Sequence, residues 1–325
     1  MEFHVAARNM ALFVLLSGIA IATAAQQNFP TKSIRIITPY APGGSTSIMA
    51  RMVGQQFTEA WGQPVIVDSR PGGNGVIGTD AVAKAVADGY TLVLTTKTHV
   101  NVPLIQTAPY DAIRDFAPIA AFARSELFMV LNNQVPANTV RDFIAYARAR
   151  PGQLSYSSGG TATAPHTAAE MFNLAANVQM VHVPYKGAAP AVVDLMGGHV
   201  QVSFQSSLNV VPQIKAGRIK ALGVSGKSRL AALPNVPTFS EAGLQDFNIG
   251  FWYGILGPAG VPKAVVDRLS VEISRLVARP DTSSKFSDLG IEPDFIAPEP
   301  LGATMKSDME NFAKLIKSAN IKLIN

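Results

Sequence analysis

The chain has 325 residues, a net charge of +5 and a charged fraction of only 15%. Its cations are dispersed, with no Lys/Arg cluster and no interleaving of basic and aromatic residues, which argues against a nucleic-acid interface. It contains no cysteine, and that excludes a lipoprotein anchor, disulfides, thiolate metal sites and a cysteine nucleophile together.

At the start of the chain, Arg8 precedes an apolar run from Met10 to Ile21, and Ala22, Thr23, Ala24 and Ala25 follow it. This is the pattern of a secretory signal peptide, with cleavage expected after Ala24 or Ala25. The run is shorter than the roughly 20 residues that a membrane-spanning helix needs. Export to the periplasm is therefore expected. The remaining ~300 residues exceed one ordinary domain, so two domains are expected. A 48% hydrophobic composition can supply their core without disulfides.

From Ser33 onward, short apolar runs alternate with helical stretches. Ser33–Pro39 predicts a strand, Thr46–Trp61 a helix, Pro64–Asp68 a strand, Asp80–Ala87 a helix and Tyr90–Thr95 a strand. Strands rich in Val and Ile, separated by helices, imply a parallel sheet covered on both faces. Phe116–Leu131 is longer and lacks turn signals, as a strand crossing between lobes would. A second series follows, with a helix at Val140–Arg148, a strand at Leu154–Ser157, a helix at Thr167–Ala176, a strand at Val181–Val183 and a helix at Pro190–Met196. The apolar segments Val200–Phe204 and Ala221–Val224 come next. Phe247–Leu256 reads as the return crossing, and the helices Lys263–Ala278 and Pro300–Ser318 would pack back on the first lobe. The expected architecture is an α/β clamshell hinged near Phe122 and Phe251, with the site in the cleft.

The loop from Tyr40 through Ala41, Pro42, Gly43, Gly44, Ser45 and Thr46 to Ser47 joins the first strand to the first helix. Its glycines allow a tight turn, and its hydroxyl residues stand at a helix N-terminus, where unpaired N–H groups favour an anion. Ser158–His166 and Val183–Pro190 repeat that chemistry in the second series. Several such loops, distributed over both lobes, suggest donors converging on an anion.

Other motifs do not extend to function. Gly73-Asn74-Gly75-Val76-Ile77-Gly78 satisfies GxGxxG between a strand and a helix. However, the next strand ends in Thr96 and Lys97, without the acid a nicotinamide ribose needs. Ala221–Ser228 is a relaxed P-loop match that an ordinary Gly/Ser turn explains. The histidines at 4, 99, 166, 182 and 199 lack metal-ligand spacing, and no G-x-S-x-G elbow accompanies them. No cofactor, metal or catalytic residue is expected.

Taken together, the segments FPTKSIRIITPYAPGGSTS, VDSRPGGNGVIGTDAVAKAVADGYTL, VPYKGAAPAVVDLMGGHVQVSF, RLAALPNVPTFSEAGL and WYGILGPAGVPKAVVDRL make the chain resemble the tripartite tricarboxylate transporter receptors, or Bug-type extracytoplasmic solute-binding proteins. The resemblance spans essentially the whole mature chain. It implies a type II periplasmic-binding-protein fold, with two α/β lobes joined by two crossing strands. Residues 26–121 and 251–325 would form the first lobe and 122–250 the second. It also implies no catalysis, a small carboxylate ligand and the membrane permease subunits of a tripartite transporter as partners. By the same resemblance, Pro42, Gly43, Gly44, Ser45, Thr46 and Ser47, with Tyr40 beside them, would grip the carboxylate from one side. Lys186, Gly187, Ala188 and Ala189, with Tyr185, would grip it from the other. Thr95, Thr96, Thr98 and His99 would line the floor, and Gly160, Thr161, Ala162, Thr163 and His166 would meet the distal end. The family commonly has Asp where this chain has Ser47 and an acid near Gln201, so a di- or aromatic carboxylate is expected over an amino acid. A sensor subunit for a receptor kinase and a periplasmic enzyme acting on carboxylates are the alternatives. A monomer is expected.

Overall fold

Most of the Val- and Ile-rich runs become strands in the computed structural model, which describes residues 29–318 apart from 246 and 248, together with 321. The segment read as a signal peptide, 1–25, lies outside the described residues. The first lobe begins with β1 (Ile34–Thr38), α1 (Ser45–Trp61), β2 (Val65–Ser69), α2 (Val76–Ala83), β3 (Thr91–Thr96) and the short α3 (Thr98–Asn101). The long strand β4 (Phe116–Asn132) leads into α4 (Val140–Arg148), β5 (Leu154–Ser158), α5 (Ala164–Ala176), β6 (Met180–Pro184), α6 (Ala188–Gly197), β7 (Val202–Ser206), α7 (Ser207–Lys215) and β8 (Ile219–Val224). The chain then returns through β9 (Gly250–Pro258), α8 (Lys263–Ala278), α9 (Pro280–Asp288), β10 (Ile291–Ile296) and α10 (Pro298–Ser318).

In the first lobe β2, β1 and β3 are parallel, and β9 inserts antiparallel between β3 and the first half of β4. β10 covers the other edge of that half. In the second lobe the remainder of β4, from Leu127 to Asn132, pairs antiparallel with β7 and β8, and β5 joins β7 to β6 in parallel. The change of partner falls between Glu126 and Leu127, a few residues beyond Phe122. β9 pairs only with β3 and β4, so the return from the second lobe is complete before Gly250.

β4 reads as one apolar run because both of its faces are buried. Phe122, Leu127, Met129 and Leu131 join a core that runs through both lobes, while Phe128 and Val130 face a second cluster under α6 and α7. α1 lays Met49, Ala50, Val53 and Phe57 on the first sheet, and Gly54 lets it approach Val65 closely, since a Cβ there would stand 3.1 Å from the valine methyl. Gly62 closes the helix in the left-handed conformation, which glycine adopts without a Cβ penalty. α4 starts on a capping box of Thr139 and Asp142.

Four elements, α3, α7, α9 and β10, are not among those expected. α9 buries only Thr282 and Phe286, and β10 is largely exposed and interrupted at Pro293, so neither carries a strong periodic signal. α5 and α6 begin earlier than expected, with Pro165 and Pro190 inside their first turns. Proline is tolerated there because the N–H it lacks has no helical partner. α7 carries Pro212 internally, which hid it as a helix.

Three chain segments meet where the lobes join, and one fully buried hydroxyl ties them. Ser225 Oγ accepts the Leu127 N–H at 2.9 Å and donates to the Ile249 carbonyl at 2.7 Å, with the Glu126 carboxylate 3.2 Å away. Ser225→Ala leaves two buried backbone groups unpaired and is expected to destabilise the protein by about 1–3 kcal/mol. Urea unfolding should show a lower midpoint at an unchanged slope, and an unchanged midpoint would mean that solvent reaches this junction.

Candidate functional site

An α-helix leaves its first N–H groups without intrahelical partners, and its N-terminus carries the positive end of the helix dipole. The starts of α1, α5, α6 and α7 meet at one cleft between the lobes. Gly44, Ser45 and Thr46 come from α1. Gly159, Thr163, Ala164 and Pro165 come from α5, Gly187 and Ala188 from α6, and Gln205, Ser206 and Asn209 from the turn into α7. Tyr40, Thr96, Thr98 and Phe251 complete the wall. None of these side chains carries a formal charge.

Each helix start follows the C-terminal end of a strand, the position where open α/β sheets place their ligand crevices. At none of the four does the N-cap side chain close the first turn. The caps are Gly44, Thr163, Gly187 and Ser206, and all four lack a side-chain capping bond. The N–H groups are thus offered to the cleft. One of them, that of Ser45, is taken across the cleft by Asn209 Oδ1 at 3.0 Å, while Asn209 Nδ2 donates to Ser206 Oγ at 3.2 Å.

The lobes are closed on each other. The Ala41 N–H donates to the Lys186 carbonyl at 2.9 Å, and Tyr253 donates to Ser206 Oγ at 3.4 Å. Gly187 has φ 137°, and a Cβ on it would stand 3.2 Å from the Ala41 nitrogen, so the close approach of the two loops requires glycine. Burial holds the Tyr40 phenol well above its ordinary range and pushes that of Tyr253 up to about 12, so both are neutral hydrogen-bonding groups at physiological pH.

Of the residues expected from sequence, Tyr40, Gly44, Ser45, Thr46, Thr96, Thr98, Thr163, Gly187 and Ala188 are brought together on this wall. The others are not, for specific reasons. Pro42, Gly43 and Lys186 are exposed at the rim. Ser47 is fully buried in α1, its hydroxyl without a partner. Thr95 bonds the Thr96 carbonyl beneath the surface. Tyr185 is drawn to Asp194 of α6 at 2.5 Å, and Ala189 lies one residue inside that helix. Gly160, Thr161 and Ala162 lie behind the wall. Gln201 accepts the Ser155 N–H at 2.8 Å and so serves the second-lobe sheet.

His99, His166 and His182 are each engaged by neighbouring groups of the fold. His99 is buried against Phe116 and Tyr110 and bonds the Ala112 carbonyl through Nε2 at 2.8 Å. His166 accepts the Ala162 N–H on Nδ1 at 3.2 Å and lies 4.3 Å, centroid to centroid, from His182, which bonds Ser158. Among the described residues no group of His, Asp and Glu is placed to hold a metal ion.

Gly159, Ala164, Pro165, Gln205, Ser206, Asn209 and Phe251 also line the cleft, although they are not among the site residues expected from sequence. For the α7 contribution a signal existed. Phe204-Gln205-Ser206-Ser207 ends an apolar strand in hydroxyl residues, as the other loops do, but Pro212 obscured the helix that follows.

The family model for tripartite tricarboxylate transporter family receptors matches residues 49–321. The UPF0065 protein in the tcbD-tcbE intergenic region of a Pseudomonas species is 38% identical over 93% of each chain. Protein BugT of Bordetella pertussis is 31% identical over 97% of this chain and 99% of its own. A protein of R. palustris solved with adipate superposes with a TM-score of 0.88 at 30% identity, covering 90% of this chain and 99% of its own. MatC from Rhodopseudomonas palustris, solved with bound malate, gives 0.83 at 26% identity, covering 89% of this chain and all of its own.

Burial holds His99 and His166 at about 4 and His182 at about 3, with His166 adding repulsion to the last, against an ordinary value of 6.5. The unfolded chain therefore takes up protons below about pH 6.5 that the folded one refuses until about pH 4. The stability these rings contribute is complete above pH 6.5 and is lost as pH falls through 4. The melting temperature should drop steadily over that interval, and a flat profile would show that the rings titrate freely in the folded state.

Proposed function

The chain belongs to the tripartite tricarboxylate transporter receptor family, and we propose that it captures a small di- or aromatic carboxylate in the periplasm and presents it to the membrane subunits of a tripartite transporter. The observation that carries this reading is the convergence of four helix starts, from both lobes, on a cleft wall without a charged side chain. Each helix start favours an anion by about 0.3–1 kcal/mol when exposed and up to roughly 2 kcal/mol when partly buried. Closing the lobes withdraws the site from water and strengthens that attraction. A carboxylate satisfies the offered N–H groups. The ammonium group of an amino acid would find no acid on the wall to pair with, and burying it unpaired is costly.

The relatives point the same way. The two related structures named above hold adipate and malate, each a dicarboxylate, and donors from both lobes suit a ligand with an acceptor at either end. Phe251 and Ala164 supply apolar surface for the carbon skeleton between them. An enzymatic reading finds no support in this cleft, because its wall holds neither a general base nor an activated nucleophile.

Mature protein, unfolded and refolded to strip any bound solute, would be screened by thermal shift against mono-, di- and tricarboxylates, aromatic carboxylates and amino acids. A ligand at ~100 times its dissociation constant adds about 2.7 kcal/mol of stability. Shifts confined to carboxylates support the reading, and the absence of any anion-induced shift overturns it.

Asn209→Asp keeps the oxygen that meets Ser45 but adds a negative charge to the wall. Like charges ~4 Å apart at an effective dielectric of about 20 repel by roughly 4 kcal/mol. Calorimetry with the best carboxylate of the screen should show at least a tenfold loss of affinity at pH 7.5. Equal affinities in Asn209→Asp and wild type would place the anion elsewhere.

A further inference from the structure

The glycine-rich loop that mimics a dinucleotide fingerprint has a different use in the folded protein. Gly72, Gly73 and Gly75 all have positive φ, and between them Asn74 sits in the left-handed region at φ 54°. Asparagine is among the few residues other than glycine that visit this region routinely. From there its side chain crosses to the other lobe. Oδ1 accepts the Thr161 N–H at 3.2 Å, and Nδ2 donates to Gln106 Oε1 at 2.6 Å. Gln106 in turn donates to the Gly73 carbonyl at 2.8 Å, so the asparagine is braced from within its own lobe.

The second-lobe loop that it meets is shaped for this contact. A Cβ at Gly160 would stand 3.0 Å from Asn74 Oδ1. Ala162 is held at φ 65°, a strained value for alanine, and its carbonyl accepts a bond from Asn101 Nδ2 of the first lobe at 3.3 Å. Two first-lobe asparagines therefore hold consecutive residues of one second-lobe loop. Thr163 and Ala164, which open α5 and line the cleft, follow directly. Asn74, Gln106 and Asn101 do not line the cleft themselves.

We infer that Asn74, with Asn101, forms a clasp that sets the equilibrium between open and closed lobes and positions the start of α5, and so governs ligand retention without touching the ligand. The inference about retention rests on the binding function proposed above, whereas the clasp itself does not. When the lobes part, Thr161 and Ala162 lose their first-lobe partners, while the bond from the Ala162 N–H to His166 Nδ1 stays within the second lobe. The two asparagines favour closure, as does the Ala162 methyl clustered with Val102, Ile105 and Phe312 of the first lobe, which leaves the balance adjustable by single substitutions.

The chain has no cysteine, so Val86→Cys and Val193→Cys, at exposed positions on the first and second lobes, provide a unique label pair. Distance distributions between spin labels there would be recorded without ligand, and then with adipate. Asn74→Gly removes the side chain and preserves the left-handed backbone. It should reduce the closed population relative to the open one by about fivefold, the effect of losing one hydrogen bond. Asn101→Ala, which removes the bond to the Ala162 carbonyl, should lower the closed population in the same direction. With any carboxylate that binds, Asn74→Gly should speed dissociation and leave association nearly unchanged. If Asn74→Gly lowers the melting temperature yet leaves the distances unaltered, its role is only structural and the clasp is overturned. It is equally overturned if the labels show open lobes throughout in the parent protein. If no carboxylate binds but the distances respond to both substitutions, the clasp stands and the binding function falls.

Discussion

The two lobes are not independent bodies held by a flexible tether, because β4 is hydrogen-bonded into both of their sheets. From Phe116 to Glu126 it belongs to the first, beside β9 and β10, and from Leu127 to Asn132 it belongs to the second, beside β7 and β8. Sliding one lobe past the other would break ladder bonds on both sides, so what remains is bending at the point where the partners change. Ser225 stitches that point together from the outgoing and returning chains. The motion open to the molecule is therefore of the hinge type, in which a few residues at element ends absorb the change.

Everything in the cleft follows from placing strand ends opposite one another across that hinge. Strands that end there hand over to helices that begin there, and helices begin with unpaired N–H groups. Lys186, which precedes the start of α6, is exposed and offers its carbonyl to Ala41, not its ammonium group to the cleft. Another cation, Lys97, is directed to the Gly250 carbonyl at 2.7 Å near the hinge, and burial lowers its pKa. Under the proposed function, anion selectivity would rest on dipoles and hydrogen-bond geometry and not on a charged side chain.

The fold was legible wherever a single local cause decides an element. The boundaries of Val140–Arg148 and Lys263–Ala278 come out of the sequence unchanged, since each has a clear start signal and an apolar stripe. Helices with proline near their starts were trimmed, and α7, with proline in its middle, was lost. The candidate site shows the same division. Loops with paired glycines and hydroxyls announce themselves, and the wall residues Gly44, Ser45, Thr46, Gly187 and Ala188 were found in this way. Asn209 was invisible because its role is to reach a partner 164 residues away, and nothing local marks that. His166 shows the opposite case. A histidine opening a helix beside a loop suggests a ligand contact, and only the folded chain reveals that its nitrogen is already engaged by the Ala162 N–H.

A wall whose donors are main-chain amides has a genetic consequence. A mutation can replace Thr46 or Ala188 with almost any residue, yet a peptide N–H remains at that position unless the newcomer is proline. Under the proposed function, a preference for negative charge would be inherited with the path of the backbone and would be hard to erase one codon at a time. The side chains standing between those amides, among them Tyr40, Gln205, Asn209 and Phe251, are under no such protection. On the same premise, duplicated copies of a gene built on this plan would drift among acids of different length and shape without passing through a form that binds none.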